Sequence, residues 1–297
     1  MKEKEFIEII KTTLNSDYIG DDCAYLKDLG IVVTQDSLVE DVHFKTDFAT
    51  PYQLGYKSAM VNISDICASG AEPKYLTSAL SLPENTPKSF VKEFYEGMKA
   101  AADNVEIVGG DITGSDKIFI SITAIGTTQG RRISSRKFAK PGYKIVISGL
   151  HGSSAAGLKL LLQGKSQPKK FINAHLMPEA QRGFSKKIAQ NINEDYAMMD
   201  TSDGLADALL QISQASGVML DIDFEKIPYD KDLQTFKNYK DLILYGGEDY
   251  GLVGAVPETF AKDFTVIGDV KPGSGIKIDG KILSSEEISK RIYNHFS

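Results

Sequence analysis

The spacing of apolar positions in the first half of the chain changes repeatedly between helix-like and strand-like patterns. Residues 3–14 and 89–102 have the pattern of amphipathic helices, whereas short apolar and β-branched runs predict strands at 31–34, 75–82 and 117–127. Thr50 followed by Pro51 is a helix-start signal, and this helix is predicted to run to about residue 68, before Gly70. The N-terminal half is therefore predicted to mix α and β elements.

A polar, turn-rich segment at residues 129–142 interrupts this pattern. It holds five basic residues and ends in Pro141-Gly142, so we place a domain boundary there and predict domains at 1–138 and 139–297. Beyond it, strands are predicted at 143–148, 218–224, 250–256 and 264–270, helices at 153–162, 179–190 and 205–216, and a short strand pair around Asp279-Gly280. The predicted fold class is α/β, of the α+β type, with two lobes.

Composition excludes several classes of function. The 34 Lys and Arg residues against 40 Asp and Glu give a net charge of −6, which argues against a nucleic-acid partner. No run approaches the ~18 apolar residues of a membrane span, and the charged N-terminal segment has no signal-peptide core. Cys23 and Cys67 form no metal-binding or disulfide pattern, which suits a reducing compartment. We therefore predict a cytoplasmic protein without a membrane or nucleic-acid partner.

Aspartates lie at the ends of predicted elements, beside small residues. They are Asp21 and Asp22 after Gly20, Asp36 after a β-branched run, Asp65 within the helix from Pro51, Asp111 after Gly109-Gly110, and Asp200 and Asp203 ahead of Gly204. Ligands of α/β folds gather at strand ends, and carboxylates that converge there repel one another unless a cation lies between them. Each Asp alone is better explained as a cap or turn residue. Together they predict a Mg²⁺ site that holds an anionic polyphosphate.

Eight segments, taken in order, resemble the thiamine-monophosphate kinase family of the AIR-synthetase-like superfamily. They are GDDCA at 20–24, TQDSLVEDVHF at 34–44, GYKSAMVNISDICASGAEP at 55–73, VGGDIT at 108–113, RKFAKPG at 136–142, SSAAGL at 153–158, DTSDGLADAL at 200–209 and GGEDYGL at 246–252. The resemblance implies an N-terminal lobe whose mixed sheet dimerises, a C-terminal α/β lobe, and a reaction that converts ATP and thiamine monophosphate into ADP and thiamine diphosphate.

The resemblance also implies roles for individual residues. As Mg²⁺ ligands it implies Asp22, Thr34, Gln35, Asp36, Asp65, Asp111, Asp200 and Asp203, of which Asp22, Asp36, Asp65 and Asp111 would act in catalysis through the metal. As ATP contacts it implies Gly110, Asp111, Arg136 and Ser202, and as substrate contacts His43, Glu248 and Tyr293. Gln35 stands where the family usually has threonine.

Alternatives remain at each level. His43 is also explained as a surface histidine, Glu248 as a charged turn residue, and Tyr293 as a packing anchor in a short C-terminal helix. The basic residues near Arg136 would ordinarily form a solvated face. For the whole chain, the rivals are another ATP-dependent synthetase of the same superfamily and a catalytically silent nucleotide-binding subunit. A silent relative is expected to have lost several of the carboxylates that this chain retains.

Overall fold

The computed structural model describes residues 2–293, with side chains from Glu5 onward, and contains two β-sheets flanked by helices. The helices are α1 Lys2–Leu14, α2 Pro51–Ala68, α3 Lys88–Ala102, α4 Ser153–Leu162, α5 Lys169–Leu176, α6 Arg182–Asn191, α7 Leu205–Ser216, α8 Tyr239–Tyr245 and α9 Ser285–Ser289. The strands are β1 Ala24–Leu26, β2 Ile31–Val39, β3 Glu72–Leu82, β4 Glu106–Gly114, β5 Phe119–Thr127, β6 Tyr143–Ile147, β7 Ala197–Asp200, β8 Met219–Ile222, β9 Leu252–Pro257, β10 Thr265–Lys271, β11 Gly275–Ile278 and β12 Lys281–Leu283. Within 2–293, no helix is both long and apolar enough to cross a membrane.

The first sheet has five strands in the order β1-β2-β5-β3-β4. Its pairs are antiparallel except for β3 and β4, which run parallel because α3 connects them as a crossover. Alternate residues of β2, β5 and β3 point into a core beneath α2 and α3, as the fully buried Val32, Ile120 and Leu76 illustrate. The other face carries Tyr75 and Phe119, which remain 43% and 37% exposed.

Local signals explain helix α2, which positions much of the site described below. Thr50 and Gln53 form a reciprocal capping box, and Pro51 occupies the first helical turn, as the sequence predicts. Twelve of the helix's 18 residues are buried, and only two of the 18, Lys57 and Asp65, carry a charge. The helix is thus largely buried and carries a charge at only two positions.

The second sheet has seven strands in the order β12-β11-β8-β10-β6-β9-β7. Its pairs are antiparallel except for β8 and β11. Several of its elements differ from the prediction: β7, α5 and α8 were not predicted, and the helix expected from residue 179 begins at Arg182. The first sheet likewise has two strands that the sequence analysis does not predict, the short β1 and the longer β4. The mixed α/β architecture itself is confirmed.

Candidate functional site: a carboxylate cluster between the two sheets

Three aspartates from distant parts of the chain meet between the two sheets. Asp22 lies in the loop before β1, Asp65 in the last turn of α2, and Asp200 at the end of β7. One carboxylate oxygen from each lies within 4.8 Å of those of the other two. Asp200 is only 1% exposed, and the side chain of Asp22 only 4%. The sequence prediction that carboxylates converge is therefore realised by these three residues.

The cluster is electrostatically unfavourable when no cation is present. Burial, together with the charge of Asp22, raises the pKa of Asp200 to about 7. Burial and the charges of Asp36 and Asp200 raise the pKa of Asp65 well above its ordinary value, and burial also raises that of Asp22. A buried set of oxygen donors that repel one another fits a hard divalent cation, which would compensate this repulsion.

Neighbouring groups hold the three carboxylates in place. The Thr34 hydroxyl donates to Asp65 at 2.7 Å, and the Ser64 hydroxyl donates to Asp200 at 2.7 Å. The backbone N–H of Ser202 also donates to Asp200, at 3.3 Å. Each donor stabilises the ionised form of its carboxylate, so the cluster remains able to bind a cation despite its burial.

Asp36 lies beside the cluster on strand β2. Its backbone N–H donates to Asn62 Oδ1 at 2.9 Å, which joins β2 to α2 next to Asp65. Its charge is among the causes that raise the pKa values of Asp65 and Asp200. The structure thus brings Thr34 and Asp36, two residues apart on one face of β2, to the same side as the cluster.

Arg136 provides the positive charge at the edge of this cluster. Its Nη2 lies 3.1 Å from Asp22 Oδ1, and its side chain is 16% exposed. The segment around it is fixed because Asp21 accepts hydrogen bonds from the Ser135 hydroxyl and the Arg136 backbone N–H, both at 2.8 Å. Arg136 is thus an ordered, half-buried group rather than part of a solvated basic face.

Two predicted metal ligands on the first sheet lie outside the cluster. The Gln35 amide is bonded to Ser121 and Thr123 on the opposite face of β2, because neighbouring residues of a strand point to opposite faces. Asp111 lies on β4, and pairing across β2, β5, β3 and β4 separates it from Asp36 by three strand spacings, about 14 Å. Within one chain, Asp111 is therefore too far from Asp36 to share an ion with it.

Three other predicted site residues lie outside the group formed by Asp22, Asp65 and Asp200. Asp203 is exposed, three residues beyond Asp200. The predicted helix around Tyr293 is wrong: α9 ends at Ser289, and Tyr293 lies beyond it with 54% of its surface exposed. His43 accepts a hydrogen bond on Nδ1 from the Val39 N–H at 3.0 Å, which places the proton of the neutral ring on Nε2.

Predicted site residues also line two cavities. The first, about 440 Å³, is lined along β4 by Gly110 and Asp111, with Tyr95 of α3 beside them. The second, about 1010 Å³, lies next to Asp22, between the end of α1 and the segment from Arg131 to Phe138. Sequence reasoning missed Tyr95, because its helical position resembles that of any aromatic residue packed in a core.

Glu248 occupies a second polar cluster, where the Gly246-Gly247 turn leads into β9. Its Oε1 lies 2.7 Å from Lys57 Nζ and its Oε2 lies 3.2 Å from His175 Nδ1. Burial opposes its charge, but Lys57, His175 and His43 outweigh that effect and hold the pKa of Glu248 below its ordinary value. Sequence analysis also missed Lys57 and His175, although the single lysine of helix α2 was a sign of a buried ionic contact.

The loop around Glu248 is held in an unusual conformation. Glu248 and Tyr250 have φ values of 65° and 49°, a left-handed region that costs a non-glycine residue about 1–2 kcal/mol. Asp249, between them, accepts hydrogen bonds from the backbone N–H groups of Gly152 and Ser154 at the start of α4, and burial raises its pKa to about 7. The Glu248 N–H donates to Ser202 O at 2.7 Å, which ties this loop to the aspartate cluster.

Comparison with known proteins gives matches over nearly the whole chain. Residues 20–128 match the family model described as AIR synthase related protein, N-terminal domain. The thiamine-monophosphate kinase of Aquifex aeolicus (strain VF5) is 37% identical over 306 residues, 98% of this chain and 96% of that protein. The Bacillus subtilis (strain 168) protein of the same name is 36% identical, over 94% of this chain and 93% of its own length.

Solved structures give the same result. The structure described as AaThiL complexed with AMPPCP and TMP is 38% identical, with a TM-score of 0.89 and coverage of 96% of both chains. The hydrogenase maturation protein HypE in complex with ATP, only 21% identical, shares the fold with a TM-score of 0.71. The similarity therefore extends over both sheets.

Proposed function

This chain belongs to the thiamine-monophosphate kinase family, and on that premise we propose that it transfers the γ-phosphoryl group of ATP to the phosphate of thiamine monophosphate, giving thiamine diphosphate and ADP. The observation that carries the proposal is the convergence of Asp22, Asp65 and Asp200 from both sides of the molecule. Phosphoryl transfer depends mainly on positioning and charge neutralisation, and such a cluster suits both tasks.

Asp22, Asp65 and Asp200 would hold Mg²⁺, with Thr34 and Asp36 beside them. When bound, the ions neutralise phosphate charge and align the two substrates. Arg136 lies next to Asp22 and Ser202 next to Asp200, so both are placed to contact the phosphates of ATP. The cavity that Gly110 and Asp111 line with Tyr95 is our candidate for the rest of a nucleotide whose phosphates lie at the cluster of the partner subunit, because within one chain this cavity lies about 14 Å from Asp36. Roles for Gln35 and Asp203 in metal binding stay predictions from the resemblance.

The acceptor would lie between the aspartate cluster and Glu248. His43 and Glu248 are close enough for the histidine to lower the pKa of the glutamate, which supports a shared role in binding thiamine monophosphate. A role for Tyr293 stays a prediction from the resemblance.

We propose direct in-line transfer without a general base. The second pKa of a phosphate monoester is about 6, so the attacking oxygen is already largely ionised at neutral pH. Incubating the chain with radiolabelled ATP but no acceptor tests this step. A stable labelled protein, formed without thiamine monophosphate and discharged by it, would refute direct transfer.

We also propose that the chain forms a homodimer through the less covered face of the first sheet. Tyr75 and Phe119 remain substantially exposed there. Because Asp111 does not reach the cluster within its own chain, a role for this residue in metal binding requires Asp111 of the partner subunit.

Mixing Asp65→Asn with Asp111→Asn chains tests this arrangement. If one site uses Asp65 of one copy and Asp111 of the other, re-equilibrated mixtures recover about a quarter of wild-type activity, because half of the dimers then hold one intact site of two. Mixtures that stay inactive, or a chain that sediments as a monomer, would count against the shared site.

The decisive experiment for the function is incubation of the purified chain with ATP, Mg²⁺ and thiamine monophosphate. We expect thiamine diphosphate and ADP in equal amounts, and neither product with the Asp65→Asn variant. Release of ADP only with a different acceptor would favour another synthetase of the superfamily. Release of ADP with no acceptor at all would favour neither that synthetase nor the proposed kinase. A cytoplasmic location is part of the proposal, and the two free, buried thiols agree with a reducing compartment.

A further inference from the structure

Helix α2 carries polar groups that face both halves of the molecule. Asn62 and Asp65 bind strand β2 through the Asp36 N–H and the Thr34 hydroxyl. Lys57 and Ser64, two helical turns apart, bind groups of the C-terminal half instead. The same helix thus contacts the aspartate cluster through Ser64 and the Glu248 cluster through Lys57.

Lys57 is an unusual residue for its position. Its side chain is only 4% exposed, in a helix whose other buried residues are all uncharged. A lysine is almost never buried to this extent without a partner. Lys57 forms an ion pair with Glu248 at 2.7 Å, and the proposed phosphate-transfer chemistry gives Lys57 no direct task.

Glu248 keeps capacity for a further ligand after these contacts. Its side chain is 26% exposed, whereas those of Lys57 and His175 are 4% and 7% exposed. Lys57 approaches Oε1 and His175 approaches Oε2, and each carboxylate oxygen can accept more than one hydrogen bond. The two buried partners therefore fix the position of the Glu248 carboxylate and leave part of its surface accessible.

We propose that Lys57 is a positioning residue for acceptor recognition: through its ion pair with Glu248 it orients a carboxylate that accepts an N–H from an amino-substituted heteroaromatic ring of the acceptor. This inference rests on the proposed function, whose acceptor carries an aminopyrimidine. The chemical class selected is a phosphate ester whose heteroaromatic ring carries an amino N–H donor, because a site built to accept such a bond rejects analogues that lack it.

The test is a mutant cycle with steady-state kinetics. Lys57→Met, Glu248→Gln and the double variant are compared for the KM of thiamine monophosphate, the KM of ATP, kcat and Tm. We expect Lys57→Met to raise the acceptor KM about tenfold while the ATP KM stays within about twofold. The double variant replaces the ion pair by two neutral groups of similar size, so it avoids an unpaired buried charge and is expected to match Glu248→Gln alone.

Lys144→Met is the matched control. Lys144 forms ion pairs with Glu258 and Asp269 on the second sheet, away from both clusters, so its loss is expected to leave both KM values unchanged. An acceptor KM equal to wild type in Lys57→Met, with only Tm or kcat reduced, would overturn the proposal. So would a double variant whose effects on the acceptor KM add.

The wild-type chain separates this inference from the proposed function. If it forms no thiamine diphosphate, the proposed function fails and the inference fails with it. If it forms the product and Lys57→Met keeps the wild-type acceptor KM, only the inference fails.

Discussion

The buried aspartate cluster makes a quantitative prediction about pH and divalent cations. In metal-free protein, Asp200 has a pKa of about 7, against 3.8 for the free side chain. Below about pH 4 both the folded and the unfolded chain carry this proton, so the shift has no effect on stability. As the pH rises towards 7, the unfolded chain releases the proton and the folded chain retains it, so the free energy of unfolding falls.

The size of the effect follows from the same shift. Moving the pKa of Asp200 from 3.8 to about 7 corresponds to a loss on the order of 4 kcal/mol by neutral pH. Asp65 acts in the same direction, because burial and the charges of Asp36 and Asp200 raise its pKa as well. About 2.6 kcal/mol of this loss falls between about pH 5 and about pH 8, because the unfolded chain has already released most of the proton by pH 5. At roughly 2 °C per kcal/mol for a chain of this length, Tm is expected to fall by about 5 °C over that range.

The assay is thermal unfolding after EDTA treatment, from about pH 5 to about pH 8, with and without excess Mg²⁺. Mg²⁺ is expected to recover most of the loss at pH 8, since a ligand at a hundred times its Kd contributes about 2.7 kcal/mol. Asp200→Asn is expected to flatten the pH dependence, whereas Asp269→Asn, an exposed control, leaves it unchanged. A Tm of the metal-free protein that stays constant or rises over this range would refute the reasoning. So would a Tm at pH 8 that does not change when Mg²⁺ is added.

Three further predictions concern single substitutions. Asp65→Asn is expected to lower transfer activity at least about a hundredfold while the far-ultraviolet circular dichroism stays that of wild type, and substantial activity would remove its metal role. Arg136→Lys loses the guanidinium contact to Asp22 and is expected to raise the ATP KM roughly tenfold; an unchanged ATP KM, measured at saturating acceptor, would contradict this. Gly110→Ala would place a Cβ 1.8 Å from Ser78 O on the adjacent strand, so unfolding in urea should reveal a loss of about 1–3 kcal/mol, and wild-type stability would show that β3 and β4 can separate there.

Where local sequence determines local structure, the prediction from sequence was accurate. The start of α2 follows from Thr50 and Pro51, whose side chains act within one helical turn. Strand β7 could not be recognised in the same way, because its residues Ala197–Asp200 include good helix formers and adopt a strand only through pairing with β9. Asp200 was nevertheless identified, through the resemblance of its surrounding motif.

The candidate site shows the same difference between features that local sequence determines and features that depend on long-range pairing. The positions of the aspartates at element ends predict that carboxylates converge, but which of them meet depends on the order of strands in the sheet, which local patterns do not contain. Asp111 follows a glycine pair, as a site residue would, but its strand lies at the far edge of the sheet from β2. Lys57 shows the reverse case. The sequence shows a single positive charge in a predicted helix, but not that this charge pairs with Glu248, 191 positions away along the chain.

If Glu248 binds the acceptor as proposed, helix α2 limits how acceptor preference can be changed by recombination. Asp200 and Glu248 of the C-terminal half are each held partly by a residue that the N-terminal half encodes, Ser64 for Asp200 and Lys57 for Glu248. A chimaera that imports only a C-terminal half from a relative would join the new loops to an unmatched helix. Exchange of substrate preference between relatives therefore calls for transplanting α2 together with the segment that carries Glu248.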